Sequence, residues 1–227
     1  MTVAASLVIS IALILISATV ALVLAVAWHE FGRPKHAFTW SVAFGLSAVM
    51  WGVDLICRIE RPNDGAIGGS MLAIAGIAAM LNTIGFRQRA GIHGKVSGLV
   101  AAALVNAVLV IGLGAIGAPA SIRAMPFGLL NAVMFWFAAR ALEGGRRKGE
   151  RIAARAAQIG LLILSLINLV FLSGMLASIV DRPLFDLTRL GTLTILLMPG
   201  IVTGIGLFTI ILLAADLADR RWKRACR

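Results

Sequence analysis

The sequence predicts an all-α membrane protein, a bundle of seven transmembrane helices with the N-terminus outside and the C-terminus in the cytoplasm. Three observations carry this expectation. Seven apolar stretches each have about the 17–25 residues needed to cross roughly 30 Å of hydrocarbon as a helix. Lipid offers the backbone no hydrogen-bond partner, so runs of this kind have no other spanning form. The loops between them are short and carry their Lys and Arg mostly on one side. Finally, a composition that is 60% hydrophobic and 14% charged, with no tyrosine, leaves no room for a separate soluble catalytic domain. The longest stretch between spans is only about a dozen residues, too few for a core of its own.

The elements follow in order. The first stretch, Val3–Trp28, ends in Ala25-Val26-Ala27, a sequence like a signal-peptidase site. No Lys or Arg precedes it, and it exceeds the roughly 7–15 residues of a secretory apolar region, so it is expected to stay as a helix. The second, Trp40–Cys57, holds Trp51 and Asp54. The third, fourth, fifth and sixth, Gly69–Phe86, Val96–Ala118, Met125–Leu142 and Ala157–Val180, carry one asparagine each: Asn82, Asn106, Asn131 and Asn168. The seventh, Leu193–Ala215, has Pro199 near its start, where a simple kink is the commoner consequence. The organisation expected is a transmembrane domain over 1–215 and a cytoplasmic basic helical tail over 216–227.

Charge fixes the expected orientation. With the N-terminus outside, only Arg58, Arg61, Arg123, Arg182 and Arg189 of the 21 Lys and Arg lie outside; the other sixteen are cytoplasmic. The acids divide nearly evenly, which is the positive-inside pattern. The net charge of +11 therefore belongs to topology-setting loops, and nucleic acid is not an expected partner. The basic loop Arg146–Arg155 is matched to anionic lipid headgroups, at about 1 kcal/mol per residue near the surface.

Polar groups inside the membrane are the first place to look for function. Asp54 lies about one turn from the outer end of the second span, with Arg58 four residues on along the same face. An interfacial Asp–Arg pair accounts for it; so does a charged wall of an outward-facing cavity, with Trp51 one turn below. Asn106 and Asn168 fall near mid-helix. Interhelical hydrogen bonds, worth on average about 0.6 kcal/mol each, are the favoured reading, and a polar ligand pocket lined by both is the other. The candidate site is thus Asp54, Trp51, Asn106 and Asn168. Trp28, Trp40 and Trp136, toward span ends, are expected at the headgroup level.

Other chemistry is not visible. His29, His36 and His93 have no metal-ligand spacing, and no phosphate loop, nucleophile elbow or paired Glu/His motif occurs. Gly68–Gly69 and Gly144–Gly145 read as loop or helix-end breakers, while Gly94–Gly98 and Gly200–Gly204 have the spacing for close helix approach. Cys57 and Cys226 fall on opposite sides and cannot pair. No enzyme activity, metal or cofactor is expected.

Three segments carry a resemblance: Leu72–Arg89, ending in Gly85-Phe-Arg-Gln-Arg-Ala-Gly91; Arg140–Arg155, a basic loop after an Ala-Ala-Arg-Ala-Leu helix end; and Gly204–Arg221, ending in Leu-Ala-Ala-Asp-Leu-Ala-Asp-Arg-Arg. With the number and spacing of spans, the chain resembles the multi-helix membrane sensor modules that precede bacterial diguanylate cyclase (GGDEF) domains. The output motif Gly-Gly-Asp/Glu-Glu-Phe does not occur in it, so the resemblance implies a sensory, dimerising role and no cyclase residue.

The functional expectation is a non-enzymatic sensory module of a bacterial inner membrane that relays a stimulus through its seventh helix. Its partners would be the bilayer, a second copy, or a cytoplasmic output domain. A small transporter is the alternative, and an accessory subunit bracing a larger complex a third.

Overall fold

The computed structural model describes residues 3–60, 65–92, 94, 96–144, 151–179 and 187–225. They form seven helices: α1 (Val3–Glu30), α2 (Lys35–Glu60), α3 (Gly65–Arg89), α4 (Ser97–Ala115), α5 (Ala120–Gly144), α6 (Arg151–Ile179) and α7 (Leu187–Ala225). Each contains a segment long and apolar enough to cross a membrane, so the chain is a multi-pass, all-helical protein among the described residues. Large apolar side chains such as Leu15, Leu22, Val105, Val108, Ile163 and Leu166 remain exposed around the bundle, the apolar exterior that a span surrounded by hydrocarbon presents.

Six helices run beyond the apolar stretches that announce them, because polar residues at a span end continue the helical hydrogen bonding into the interface. Helix α4 does the reverse and stops at Ala115. Gly117 there adopts φ 70°, and the amide of Ala118 donates to the carbonyl of Leu113 at 2.9 Å. Gly32 ends α1 in the same way: φ is 79° and the amide of Arg33 donates to Trp28 O at 3.0 Å. This left-handed cap satisfies carbonyls the helix leaves open. Pro34 and Pro119 follow two residues on, where the helix has already ended.

The helices alternate in direction, so the bundle has an N-face, where α1 begins, and a C-face, where α7 ends. Near the N-face Ser10 of α1 meets Asp54 of α2. Farther toward the C-face Ser41 Oγ donates to Ala21 O at 2.8 Å, and Thr83 Oγ1 to Met134 O at 3.0 Å. Ser165 Oγ reaches Ala132 O at 2.8 Å. These bonds stitch α1 to α2, α3 to α5 and α5 to α6, as short hydroxyl side chains commonly do in membrane bundles.

The larger of the two buried apolar clusters lies toward the C-face. Trp40 is fully buried with Leu24, Phe86, Ala138, Ala139 and Leu212. Its ring meets Phe86 edge-on at 5.1 Å, and Nε1 donates to Asn82 O at 3.3 Å. Its position near a span end suggested a headgroup-level indole; Gly85, which has no Cβ to obstruct the ring, instead admits it to the core. A smaller cluster of Met80, Leu99, Ala103, Leu130 and Met134 joins α3, α4 and α5. Helix α7 lies against α1 and α6, with Gly206 pressed on Val20 of α1.

Candidate ligand cavity and the helix-seven anchor

A cavity of about 400 Å³ opens between α2, α3, α5, α6 and α7, within the roughly 300–1,000 Å³ range of ligand pockets. Its apolar lining mixes aliphatic side chains with aromatic and thioether ones, the latter including Phe44, Met50 and Trp51 of α2, Phe127 and Phe135 of α5, Phe171 of α6 and Met198 of α7. The polar lining consists of Ser47 and Asp54 of α2, Asn82 of α3, Asn131 of α5 and Asn168 of α6. No Lys, Arg or His is among the described residues that line it.

Asp54 is buried, 7% exposed, and Ser10 Oγ donates to its Oδ2 at 3.0 Å. The side chain of Arg58, the partner suggested by its spacing, lies outside the described residues. Asn168 turns Nδ2 back to the carbonyl of Leu164 at 2.8 Å, bonding within its own helix. Asn82 Oδ1 and Asn131 Oδ1 are both buried without a hydrogen-bond partner. A buried carbonyl oxygen left unmatched costs about 1–3 kcal/mol, so both are net costs to the packing of the bundle.

The four residues singled out from the sequence separate. Trp51, Asp54 and Asn168 reach the common cavity. Asn106 does not: it is buried in α4 and faces α3, where a Cβ on Gly76 would stand 2.8 Å from its Nδ2. Neither Nδ2 nor Oδ1 of Asn106 has a hydrogen-bond partner, so it contributes shape to the α3–α4 contact and no interhelical bond.

A second polar feature, near the C-face, was not anticipated from the sequence. Arg89 of α3 donates from Nη2 to Asp216 Oδ1 at 3.1 Å, and His36 Nε2 of α2 lies 3.3 Å from Asp216 Oδ2. The His36 contact has ion-pair distance but not hydrogen-bond alignment, since Nε2 has no hydrogen-bond partner; charge, when the ring is protonated, is what it would contribute. The three side chains are only 5%, 9% and 11% exposed for Arg89, His36 and Asp216. His36 also stacks edge-on against Trp40 at 5.2 Å, tying the cluster to the core. Each of the three reads as an ordinary loop or tail charge in sequence. The hint was that α7 continues past residue 215 without a Gly or Pro, which carries Asp216 on the same helical face as buried Leu212.

The anchor and the cavity share one element. Met198, Ile201, Val202 and Ile205 of α7 wall the cavity, and Asp216, roughly three turns farther along the same helix, joins the buried cluster. Beside the cavity, an apolar groove of about 380 Å³ separates α6 from α7 between Gly160, Gly200, Gly204 and Phe208. Leu164, Ile167, Ile201 and Ile205 line both spaces. The chain matches no protein-family description, no curated protein and no solved structure.

Proposed function

We propose that this protein is a membrane sensory module in which occupancy of the cavity shifts α7 against the rest of the bundle, and that α7 carries the shift to a cytoplasmic output in a bacterial inner membrane. The observation that supports the reading is the double duty of α7, which forms a wall of the cavity and bears the carboxylate of the C-face ion cluster on one uninterrupted helix. The asymmetry of Lys and Arg, which would put the C-face in the cytoplasm, and the resemblance to sensor modules ahead of diguanylate cyclase domains point the same way. A ligand shifts the two packings only by its differential affinity for them. Cavity walls that include the moving helix supply such a difference.

The reading is tested by filling the cavity from within. Ala75 of α3 lines it, and Ala75→Phe would occupy part of the space a ligand takes. Hydrogen exchange measured on the protein in nanodiscs should then change along residues 206–225 of α7 while α4 keeps its protection. Unchanged exchange in α7, with the protein folded, would count against the relay. The carrier reading draws on the same cavity, which several helices share near the middle of the bundle. It predicts solute flux in liposomes that Asp54→Asn abolishes.

A further inference from the structure

The gap between α6 and α7 has an outer side and an inner side. Ile163 of α6 is 51% exposed and Gly200 of α7 is exposed as well; both line the groove at its outer edge. Phe86 of α3, only 1% exposed, lines its inner end. The α6 and α7 residues of the groove fall within the apolar segments Ala154–Ala177 and Met198–Ala218, so its mouth meets hydrocarbon and not water. On the inner side Leu164, Ile167, Ile201 and Ile205 belong to the walls of the groove and of the cavity alike.

The chemistry of this passage is uniform. Its described lining residues are Ala, Gly, Leu, Ile and Phe, with no side-chain nitrogen or oxygen. A charged molecule crossing there would give up its water and gain no partner, whereas a hydrocarbon or an aromatic ring gives up nothing. Gly200 and Gly204 keep the passage wide, since a Cβ on either would meet no atom within 4 Å. Aliphatic side chains at the shared wall can move aside without breaking a hydrogen bond. The cavity beyond, of about 400 Å³ and walled in part by Phe44, Phe127, Phe135 and Phe171, suits a lipophile of modest size.

We infer that the cavity takes an uncharged lipophile dissolved in the bilayer, which enters sideways between α6 and α7. This assignment rests on reading the cavity as the input of the module, and it gives that input a ligand class and a route.

1-Bromodecane is a suitable probe, because bromine quenches the fluorescence of an indole it touches and Trp51 lines the cavity. The full chain in phosphatidylcholine nanodiscs is mixed rapidly with the bromide. The part of the quenching that is lost in Trp51→Phe reports the cavity, and the rest follows entry into the bilayer. In Gly200→Leu/Gly204→Leu, whose added side chains fill the open groove, the Trp51 part should slow about tenfold or more while the rest keeps its rate. The same chain and bromine carrying a trimethylammonium or a sulfonate at the other end should leave Trp51 unquenched. A Trp51 part as fast in the double variant as in the wild type would overturn the route. Equal quenching of Trp51 by either charged congener, or none by the bromide while the other tryptophans respond, would overturn the ligand class. Should the double variant not fold, a decane carrying a diazirine on its chain decides on the wild-type protein. Crosslinks at Leu164, Ile201 and Ile205 are expected; crosslinks confined to the exposed Val105 and Val108 of α4 would contradict the site. The relay fails separately: Trp51 quenching that leaves α7 exchange unaltered would sink the relay and keep the ligand and its route.

Discussion

Helices α3 and α4 meet through glycine, and so do α6 and α7, yet the first pair touches and the second leaves a groove. On α3, a Cβ at Gly65 would stand 2.8 Å from Gly114 O, and one at Gly69 would stand 2.5 Å from Val110 O. The backbones are in contact there, as small residues permit in membranes. On the other side, Gly200 and Gly204 have nothing within 4 Å, and Gly160 meets only Phe208, at 4.0 Å. Small-residue spacing is therefore permissive: it removes an obstacle, and the opposing helix decides whether the gap closes. The pair that does not close contains α7, the helix that also walls the cavity and carries Asp216 of the ion cluster.

If that contrast is sound, α7 should depend on its C-face anchor more than on its packing. Asp216→Ala leaves Arg89 buried without its carboxylate and should cost about 3–5 kcal/mol, seen as a lowered unfolding midpoint in detergent. A loss below about 1 kcal/mol would show that packing alone holds α7. Gly69→Val places a side chain against the α4 backbone at Val110 and Ile111, where nothing can yield, and should cost about 1–3 kcal/mol. Asn106→Leu tests whether the α3–α4 contact works by shape: it removes two unpartnered buried atoms and should raise stability by about 1 kcal/mol, whereas destabilisation would point to a hidden polar partner. Gly204→Ala, facing open space, should stay within about ±0.5 kcal/mol; a penalty comparable with that of Gly69→Val would erase the distinction between the two pairs.

The seven spans were legible because the bilayer imposes a length on every apolar run, and length survives in one dimension. Which face of a span turns inward was not. In a soluble helix an apolar stripe marks the buried side, but here lipid and protein interior are both apolar, so Asn106 and Asn168 look alike until packing sends one toward Gly76 and the other to the cavity. Asp54 and Trp51 could be found because a carboxylate inside a span is rare and costly. Asn131 shares the cavity with them and was passed over as one asparagine among four. The cluster of His36, Arg89 and Asp216 was hidden for a different reason: span ends are where charges normally face water. Only the continuation of α7 past Ala215, together with the close approach of α2 and α3, turns three such residues toward one another. Trp40 shows the same limit, since indoles at span ends usually lie at the interface, and nothing short of the Gly85 contact reveals that this one is core.

The most direct measurement is a pair of spin-label distances in a Cys57→Ser, Cys226→Ser background. One pair joins Ala218 of α7 to Ile92 beyond α3, and the other joins Ile92 to Ala115 of α4. In Ala75→Phe, the account predicts a shifted distribution for the α7 pair and an unchanged one for the α4 pair. Two unchanged distributions with the cavity demonstrably filled, or equal shifts in both, would contradict the claim that α7 is the element that moves.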